Sequence, residues 1–179
     1  WWLEVLENKP ASAHAQTFDI EWHPLAPETR GRVLLPVLGD HYGRILEAGE
    51  LQLKFDAHAG EFSLHYWEKR FPIDPSHYPD IFEAMPPPAA RSEAEADSHA
   101  VVASLLASFG RLPARAVQDE SDKRARSRDA AVYKQTLARL VRRHEWVTDW
   151  IAGCLKQLNG RVGDPASFDA LDKLVSRQA

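Results

Sequence analysis

The amino-acid sequence predicts an α+β fold that is predominantly helical overall. Apolar and polar residues alternate between residues 51 and 67, whereas apolar residues recur every three or four positions between residues 92 and 159. We therefore expect a first half made of a small β-sheet or hairpin unit with short helices. The second half is expected to be an all-helical subdomain with one long helix.

Charge divides the chain near its middle. Residues 1–85 carry 7 basic and 14 acidic side chains, while residues 86–179 carry 15 basic and 12 acidic ones. The triplet Pro86-Pro87-Pro88 lies at the join. Successive prolines favour a stiff connector, because their φ is fixed and they lack a backbone donor. The sequence thus predicts two domains, residues 1–85 and residues 86–179.

The strand signals of the first half centre on a β-hairpin. The alternating runs Leu51–Asp56 and Phe62–Trp67 are separated by a turn at His58-Ala59-Gly60, which predicts two antiparallel strands. Phe18–Trp22 and Val33–Val37 are predicted as further strands.

Two aspartates predict where the short helices of the first half begin. A side-chain carboxylate can accept hydrogen bonds from the free N–H groups of a first turn, and Pro fits a first helical position. Asp40 is expected to cap a helix that ends at Gly49, and Asp74-Pro75 to open another that runs through Phe82.

The second half carries helix signals throughout. Ser92 and Glu95 form a capping box, and Gly110 is the expected end of the helix that they start. A long helix is predicted from Glu120 to Asn159, and Asp164-Pro165 begins the last helix. The long helix has an apolar seam with heptad spacing, which comprises Tyr133, Leu137, Leu140, His144, Val147, Ile151, Cys154 and Leu158.

Bulk properties argue against several classes of function. The formal net charge of −4 argues against nucleic acid as a partner. No apolar run reaches the length of a membrane span and no signal-peptide pattern is present, so a membrane is not an expected partner. The single cysteine, Cys154, allows no internal disulfide, which favours a cytoplasmic location.

The sequence carries no motif for a metal or a cofactor. The eight His residues show no ligand spacing such as HExxH, and we predict neither a metal nor a cofactor. His144 and Cys154 lie on the predicted seam and are interpreted as packing residues. A basic cluster near the start of the long helix could bind an anion, although a solvated helix face is the favoured interpretation. It comprises Lys123, Arg124, Arg126 and Arg128.

Aromatic and charged residues of the first half fit carbohydrate binding. The C–H face of a pyranose ring stacks on an indole or a phenol, while the sugar hydroxyls need directional donors and acceptors. Composition alone still favours ordinary core packing for these residues. They are Trp1, Trp2, Trp22, Tyr42, Tyr66 and Trp67, together with Asp19, Glu21, Asp40, Glu68 and Arg70.

Four short motifs follow one another within residues 1–85. They are Trp1–Asn8 with Phe18–Trp22 (WWLEVLEN…FDIEW), Leu34–Gly39 with Tyr42-Gly43 (LLPVLG…YG), Gly49–Leu51 (GEL) and Phe71–Tyr78 (FPIDPSHY). In this order they resemble the maltooligosyl trehalose synthase patterns WWxDVLENG…FFDIDW, LLPVLG…YG and GEL…PLxPxxY. That family belongs to the α-amylase superfamily. Some residues depart from the patterns: Lys9 stands where Gly is common, Thr17 replaces a Phe, and Glu21 replaces an Asp.

The resemblance implies that this chain is part of an isomerase. Such an enzyme converts the reducing-end α-1,4 bond of a maltooligosaccharide into an α,α-1,1 bond by intramolecular transglucosylation. The family's catalytic carboxylates lie in motifs such as GLRIDHxDGL, which this sequence lacks, so we expect no catalytic residue here and an inactive isolated chain. The implied partners are the maltooligosaccharide substrate and the rest of the catalytic barrel.

The resemblance also implies a position within the enzyme. The chain would correspond to a B-domain-like excursion from the barrel followed by a helical subdomain. The adjacent indoles of Trp1 and Trp2, and a last helix without a C-terminal cap, agree with an internal segment of a longer protein.

Two functional readings remain open. In the first, the first half is a wall of the substrate cleft, and its carbohydrate-facing residues are Trp2, Asp19, Trp22, Tyr42, Arg70 and Phe71. In the second, the chain is a structural or protein-interaction domain whose long helix docks on a partner and whose aromatic residues fill a core. Burial discriminates between them, because the first reading expects Trp22, Tyr42 and Arg70 to line one open concave face.

Overall fold

A computed structural model of the chain describes residues 1–22, 37–117 and 119–178. Within these ranges it contains a three-stranded antiparallel sheet and a larger number of helices, so the α+β, predominantly helical prediction is confirmed. The strands are β1 (Leu51–Asp56), β2 (Glu61–Tyr66) and β3 (Lys69–Pro72). The helices are α1 (Trp2–Asn8), α2 (Tyr42–Glu47), α3 (Tyr78–Phe82), α4 (Glu93–Phe109), α5 (Glu120–Arg143), α6 (Glu145–Leu158) and α7 (Asp169–Gln178), with 3₁₀ turns at Lys9–Ala11, Pro75–His77 and Pro165–Phe168.

The predicted hairpin is present, and a third strand extends it. In β1 and β2, Phe55 pairs with Phe62 and Leu51 with Tyr66, so alternate side chains reach the core. Strand β3 pairs with β2 in the order β1-β2-β3. The sequence pattern missed β3, because a four-residue strand that ends in Pro shows no alternation.

The turn between β2 and β3 contains an unusual tryptophan. Tyr66 pairs with Lys69, which leaves Trp67 and Glu68 as a two-residue connection. Trp67 has a φ of 52°. This left-handed region is the one that glycine tolerates best, and it costs a residue with a side chain about 1–2 kcal/mol.

Two of the predicted helix starts are found with their caps. The Asp74 carboxylate accepts from the backbone N–H of Ser76, and Ser92 Oγ accepts from that of Glu95. Asp40 does not cap the first short helix as predicted, because its carboxylate accepts from the N–H of His41, and His41 itself precedes α2 without a side-chain cap hydrogen bond. Gly110 ends α4 as expected.

The segment Phe18–Trp22 is not a strand, contrary to the sequence prediction. Its backbone turns locally, with the N–H of Ile20 bonded to the carbonyl of Phe18, and the Trp22 indole N–H donates to the carbonyl of Ala15. A strand needs a neighbouring backbone to pair with, and these local bonds occupy the segment instead. The other predicted strand, Val33–Val37, lies outside the described residues except for Val37.

The predicted long helix is two helices. His144 adopts an extended backbone (φ −130°, ψ 107°) that ends α5 and precedes α6. The apolar seam continues across this break, because Leu140 on α5 and Ile151 on α6 are both buried. A heptad pattern reports which face is apolar, and it does not require that the backbone stay helical between the two segments.

The buried apolar side chains from both halves of the chain form one cluster. It includes Phe62 of β2, Phe109 of α4 and Leu137 of α5, and the ring of Tyr78 packs against both phenylalanines. The seam of α5 and α6 therefore faces the interior of this chain. The division into domains at residue 85 stays a prediction.

In the part of the chain that the structure describes, no helix is both long enough and apolar enough to cross a bilayer.

Candidate functional site

Three adjoining clefts lie along α5 and the β1–β2 hairpin. Cleft A, of about 690 Å³, lies between residues 10–22 and the first turns of α5. Cleft B, of about 500 Å³, lies between α1, the hairpin turn and the middle of α5. Cleft C, of about 490 Å³, lies beside the hairpin. Ser127 lines both A and B, and His58 lines both B and C, so neighbouring clefts share a lining residue.

Cleft A combines an aromatic wall with polar groups. The half-buried Trp22 lines it, and the indole is oriented by the 3.2 Å hydrogen bond from Nε1 to the carbonyl oxygen of Ala15. Lys123 and Arg128 on α5 contribute cations whose charges are already shared with acidic neighbours on the same helix. Cleft A therefore presents an indole ring, hydroxyl groups and basic side chains, and it does not concentrate positive charge.

Cleft B is built around a lysine between two carboxylates. Lys134 Nζ donates to both carboxylate oxygens of Glu7, at 2.7 and 2.6 Å, and lies 3.3 Å from Glu61 Oε1. Burial raises the pKa of Glu7 above its ordinary value, and the opposing attraction of Lys134 does not fully offset it.

Gly60 makes this arrangement possible. Its φ is 69°, and a Cβ at this position would collide with the carbonyl oxygen of Lys134. The hairpin turn therefore approaches the α5 backbone more closely than any residue with a side chain would allow. This approach brings Glu61, the next residue, to Lys134.

Cleft C contains Arg70 of β3. Its guanidinium donates to Glu61 Oε2 at 2.8 Å, while its buried Nε has no hydrogen-bond partner among the described residues. Burial lowers the pKa of His65 in the same cleft, and the charges of Lys54 and Arg70 lower it further. Arg70 thus links cleft C to the Glu61–Lys134 contact of cleft B.

A closed polar cluster lies beneath α5, centred on Arg126. The Arg126 guanidinium is 1% exposed and donates to Asp74 Oδ1 at 2.6 Å, Asn8 Oδ1 at 3.1 Å and the carbonyl oxygen of Pro113 at 2.6 Å. Arg115 Nε lies 3.0 Å from the other Asp74 oxygen. Burial disfavours the charged form of Asp74, but the two guanidiniums outweigh it, so the pKa of Asp74 is lowered. The interpretation of the basic cluster as a solvated helix face is therefore wrong for Arg126.

The six residues predicted to face carbohydrate do not all line one of the three clefts. Trp22 lines cleft A and Arg70 lines cleft C. Trp2 packs edge-on against Phe18, Asp19 is exposed, Phe71 is half-buried against the core, and the Tyr42 hydroxyl donates to Asp172 of α7 at 2.8 Å. None of the three clefts is lined by Trp22, Tyr42 and Arg70 together. Their contact with sugar stays a prediction.

Sequence reasoning missed the acidic and basic residues of cleft B and of the cluster beneath it. One signal was present in α5, where buried positions recur every fourth residue: Arg126, Ala130, Lys134 and Ala138. Because Arg126 and Lys134 alternate with alanines on this buried face, the pattern indicates that their charges have buried partners. Those partners come from distant segments, which the spacing within α5 cannot identify.

Known proteins offer no guide to this site: neither models of protein families, nor curated proteins, nor solved structures match the chain. Within residues 1–22, 37–117 and 119–178, no group of three or more His, Cys, Asp or Glu side chains could hold a metal ion.

Proposed function

We propose that this chain forms part of the substrate cleft of a cytoplasmic maltooligosyl trehalose synthase, and that cleft A holds glucose units of a maltooligosaccharide. One observation carries the proposal. Trp22, the last residue of the segment that resembles FFDIDW, lines cleft A beside hydroxyl and charged groups. A flat aromatic wall with directional polar groups suits a pyranose ring.

The arrangement of the motif segments supports the proposal. Asn8 ends the first motif and Asp74 belongs to the last, and Arg126 bonds to both. Helix α1, which carries the first motif, also packs against β3, where the last motif begins. Segments far apart in sequence thus form one framework beneath clefts A and B.

The role of this chain would be to hold the sugar and to exclude water. An intramolecular transglucosylation must retain the released glucose and turn it before water attacks the glycosyl-enzyme intermediate. The carboxylates for bond cleavage would come from the catalytic barrel. Binding groups on an insertion over the barrel mouth fit this division of labour, because barrel active sites lie where such insertions emerge.

The binding test uses Trp22→Ala. Maltopentaose titrated into the chain and followed by calorimetry should bind about tenfold more weakly to this variant, the loss expected for one stacked aromatic contact. Trp1→Ala is the matched control, because Trp1 is 79% exposed and does not line any of the three clefts. Equal affinity of the two variants would contradict a sugar site in cleft A.

The catalytic test uses the full-length enzyme. Trp22→Ala or Arg70→Ala should raise the share of free glucose relative to trehalose-ended product, because water reaches the intermediate more easily. The isolated chain should form no trehalose ends from maltopentaose. Unchanged product ratios in both variants would favour the structural reading, in which these residues only pack.

A further inference from the structure

Trp67 lines none of the three clefts. It follows β2 directly, at the end of the strand opposite the hairpin turn and two residues beyond His65 of cleft C. The side chain is 74% exposed. Its only described hydrogen bond joins Nε1 to Glu50 Oε2 at 3.2 Å.

The backbone conformation of Trp67 and the exposure of its side chain are each unfavourable by themselves. Its φ of 52° is one that glycine adopts more easily, and a large indole in water is unfavourable. Residues held in such conformations concentrate at functional sites, where the surrounding structure maintains them. The unfavourable backbone conformation of Trp67 therefore indicates that its exposed side chain has a functional role.

The surroundings of Trp67 select the class of ligand. The hydrogen bond to Glu50 orients the ring by its edge, and the rest of the side chain is largely bare. The carboxylates of Glu50 and Glu68 can accept hydrogen bonds from hydroxyl groups, while their charge disfavours an anionic membrane or a nucleic acid. A single ring is also far smaller than a stable protein–protein interface requires.

We propose that Trp67 and Glu50 form a second α-glucan contact on this chain, separate from cleft A. The indole stacks on the C–H face of one or two glucose rings, and Glu50 accepts from a ring hydroxyl. The ligand class rests on the proposed function, but the site does not depend on cleft A. Such a contact would hold a long glucan chain near the enzyme while its reducing end is processed elsewhere.

The test measures binding to long glucans in a chain that already carries Trp22→Ala, so that the contribution of cleft A is reduced. Migration through gels containing soluble amylose gives the apparent Kd. Adding Trp67→Gly should weaken binding about tenfold. Adding Trp67→Phe should weaken it less, because the ring stays and only the bond to Glu50 is lost. Adding Trp1→Ala should leave the apparent Kd unchanged.

Thermal melting separates loss of binding from loss of fold. Trp67→Gly should melt at the same temperature or higher, since glycine accepts the positive φ. A lower melting temperature would show that the indole packs within the fold, and it would overturn the proposal. Equal amylose affinity with and without Trp67→Gly, or no retardation of the Trp22→Ala chain by amylose, would overturn it as well. Cleft A is judged separately, by the maltopentaose titration.

Discussion

Two of the cation–carboxylate contacts that helix α5 makes differ in the degree to which they are closed off from solvent. The Arg126 side chain is 1% exposed and forms an ion pair with Asp74 in a closed cluster. The Lys134 side chain, eight residues further on, is 10% exposed and forms an ion pair with Glu7 at the side of cleft B. The two carboxylates shift in opposite directions. The pKa of Asp74 is lowered because two guanidiniums outweigh burial, and that of Glu7 is raised because burial outweighs one ammonium.

The comparison shows that the number of hydrogen-bonding and cationic partners decides whether the pKa of a buried carboxylate is lowered or raised. Asp74 has Arg126, Arg115 and a backbone N–H, so its ionised form is fully compensated. Glu7 shares its one cation with Glu61, so its ionised form is compensated only in part. A closed cluster of the first kind serves the fold, while an incompletely compensated carboxylate beside an open cleft can still respond to a ligand.

The largest expected effect comes from Arg126→Met. The substitution leaves Asp74 buried with one guanidinium and leaves the carbonyl oxygen of Pro113 without its donor. Removing one partner of a buried ion pair costs about 3–5 kcal/mol, which should appear as a lower free energy of unfolding in urea. Arg128→Met on the same helix is the control, because Arg128 is exposed and should change stability by less than about 0.5 kcal/mol. Similar losses for the two variants would mean that the cluster is not closed.

Gly60→Ala should be the next most destabilising change. The new Cβ meets the Lys134 carbonyl and the residue must keep a positive φ, which together should cost about 2–4 kcal/mol in urea unfolding. Gly43→Ala is the matched control, since a Cβ there has no neighbour within 4 Å and lies in α2. That control should be neutral or slightly stabilising. A tolerated Gly60→Ala would show that hairpin and α5 need not approach closely for Glu61 to reach Lys134.

Lys134→Met should be milder than Arg126→Met. Water in cleft B can solvate Glu7 when the ammonium is lost, so the expected cost is about 1–3 kcal/mol. The pKa of Glu7, measured by NMR titration, should rise further, because Lys134 is what lowers it. Gln135→Met at the exposed neighbouring position is the control. A Glu7 pKa that does not rise in Lys134→Met would remove the distinction drawn between the two contacts.

The smallest effect is a difference in pH dependence. The folded-state pKa of Asp74 lies below its ordinary 3.8, so its contribution is present above that value and is lost as pH falls through the lowered pKa. The folded-state pKa of Glu7 lies above its ordinary 4.5, so the folded state binds the extra proton and stability declines as pH rises from 4.5 through the raised pKa.

Unfolding free energies measured from pH 3 to pH 7 check these signs. Glu7→Gln should remove the decline above pH 4.5, and Asp74→Asn should flatten the rise near and below pH 3.8, each relative to the unchanged chain. The idea fails if both variants change the slope in the same direction.

The sequence predicted the local elements better than the site. The hairpin, the caps at Asp74 and Ser92 and the buried seam depend on neighbours within a few residues, and all are present. The strand at Phe18–Trp22 was predicted wrongly, since strand pairing depends on residues far away in the chain. Of the predicted site residues, Trp22 lines cleft A and Arg70 lines cleft C, and the Glu7–Lys134–Glu61 contact was not predicted from the sequence.

The sequence by itself determined the fold class, the apolar face of α5 and α6, and the motif order on which the proposed function rests. The fold class and the apolar face follow from periodicity and short-range hydrogen bonding, which a linear pattern records directly, whereas the motif order carries only a resemblance. Only the tertiary structure decided that the predicted long helix breaks at His144 and that Arg126 is buried. It also decided that the hairpin turn approaches α5 so closely that residue 60 must be glycine. Those outcomes depend on which distant groups meet, because a charge is stable inside a protein only where its partners are brought to it.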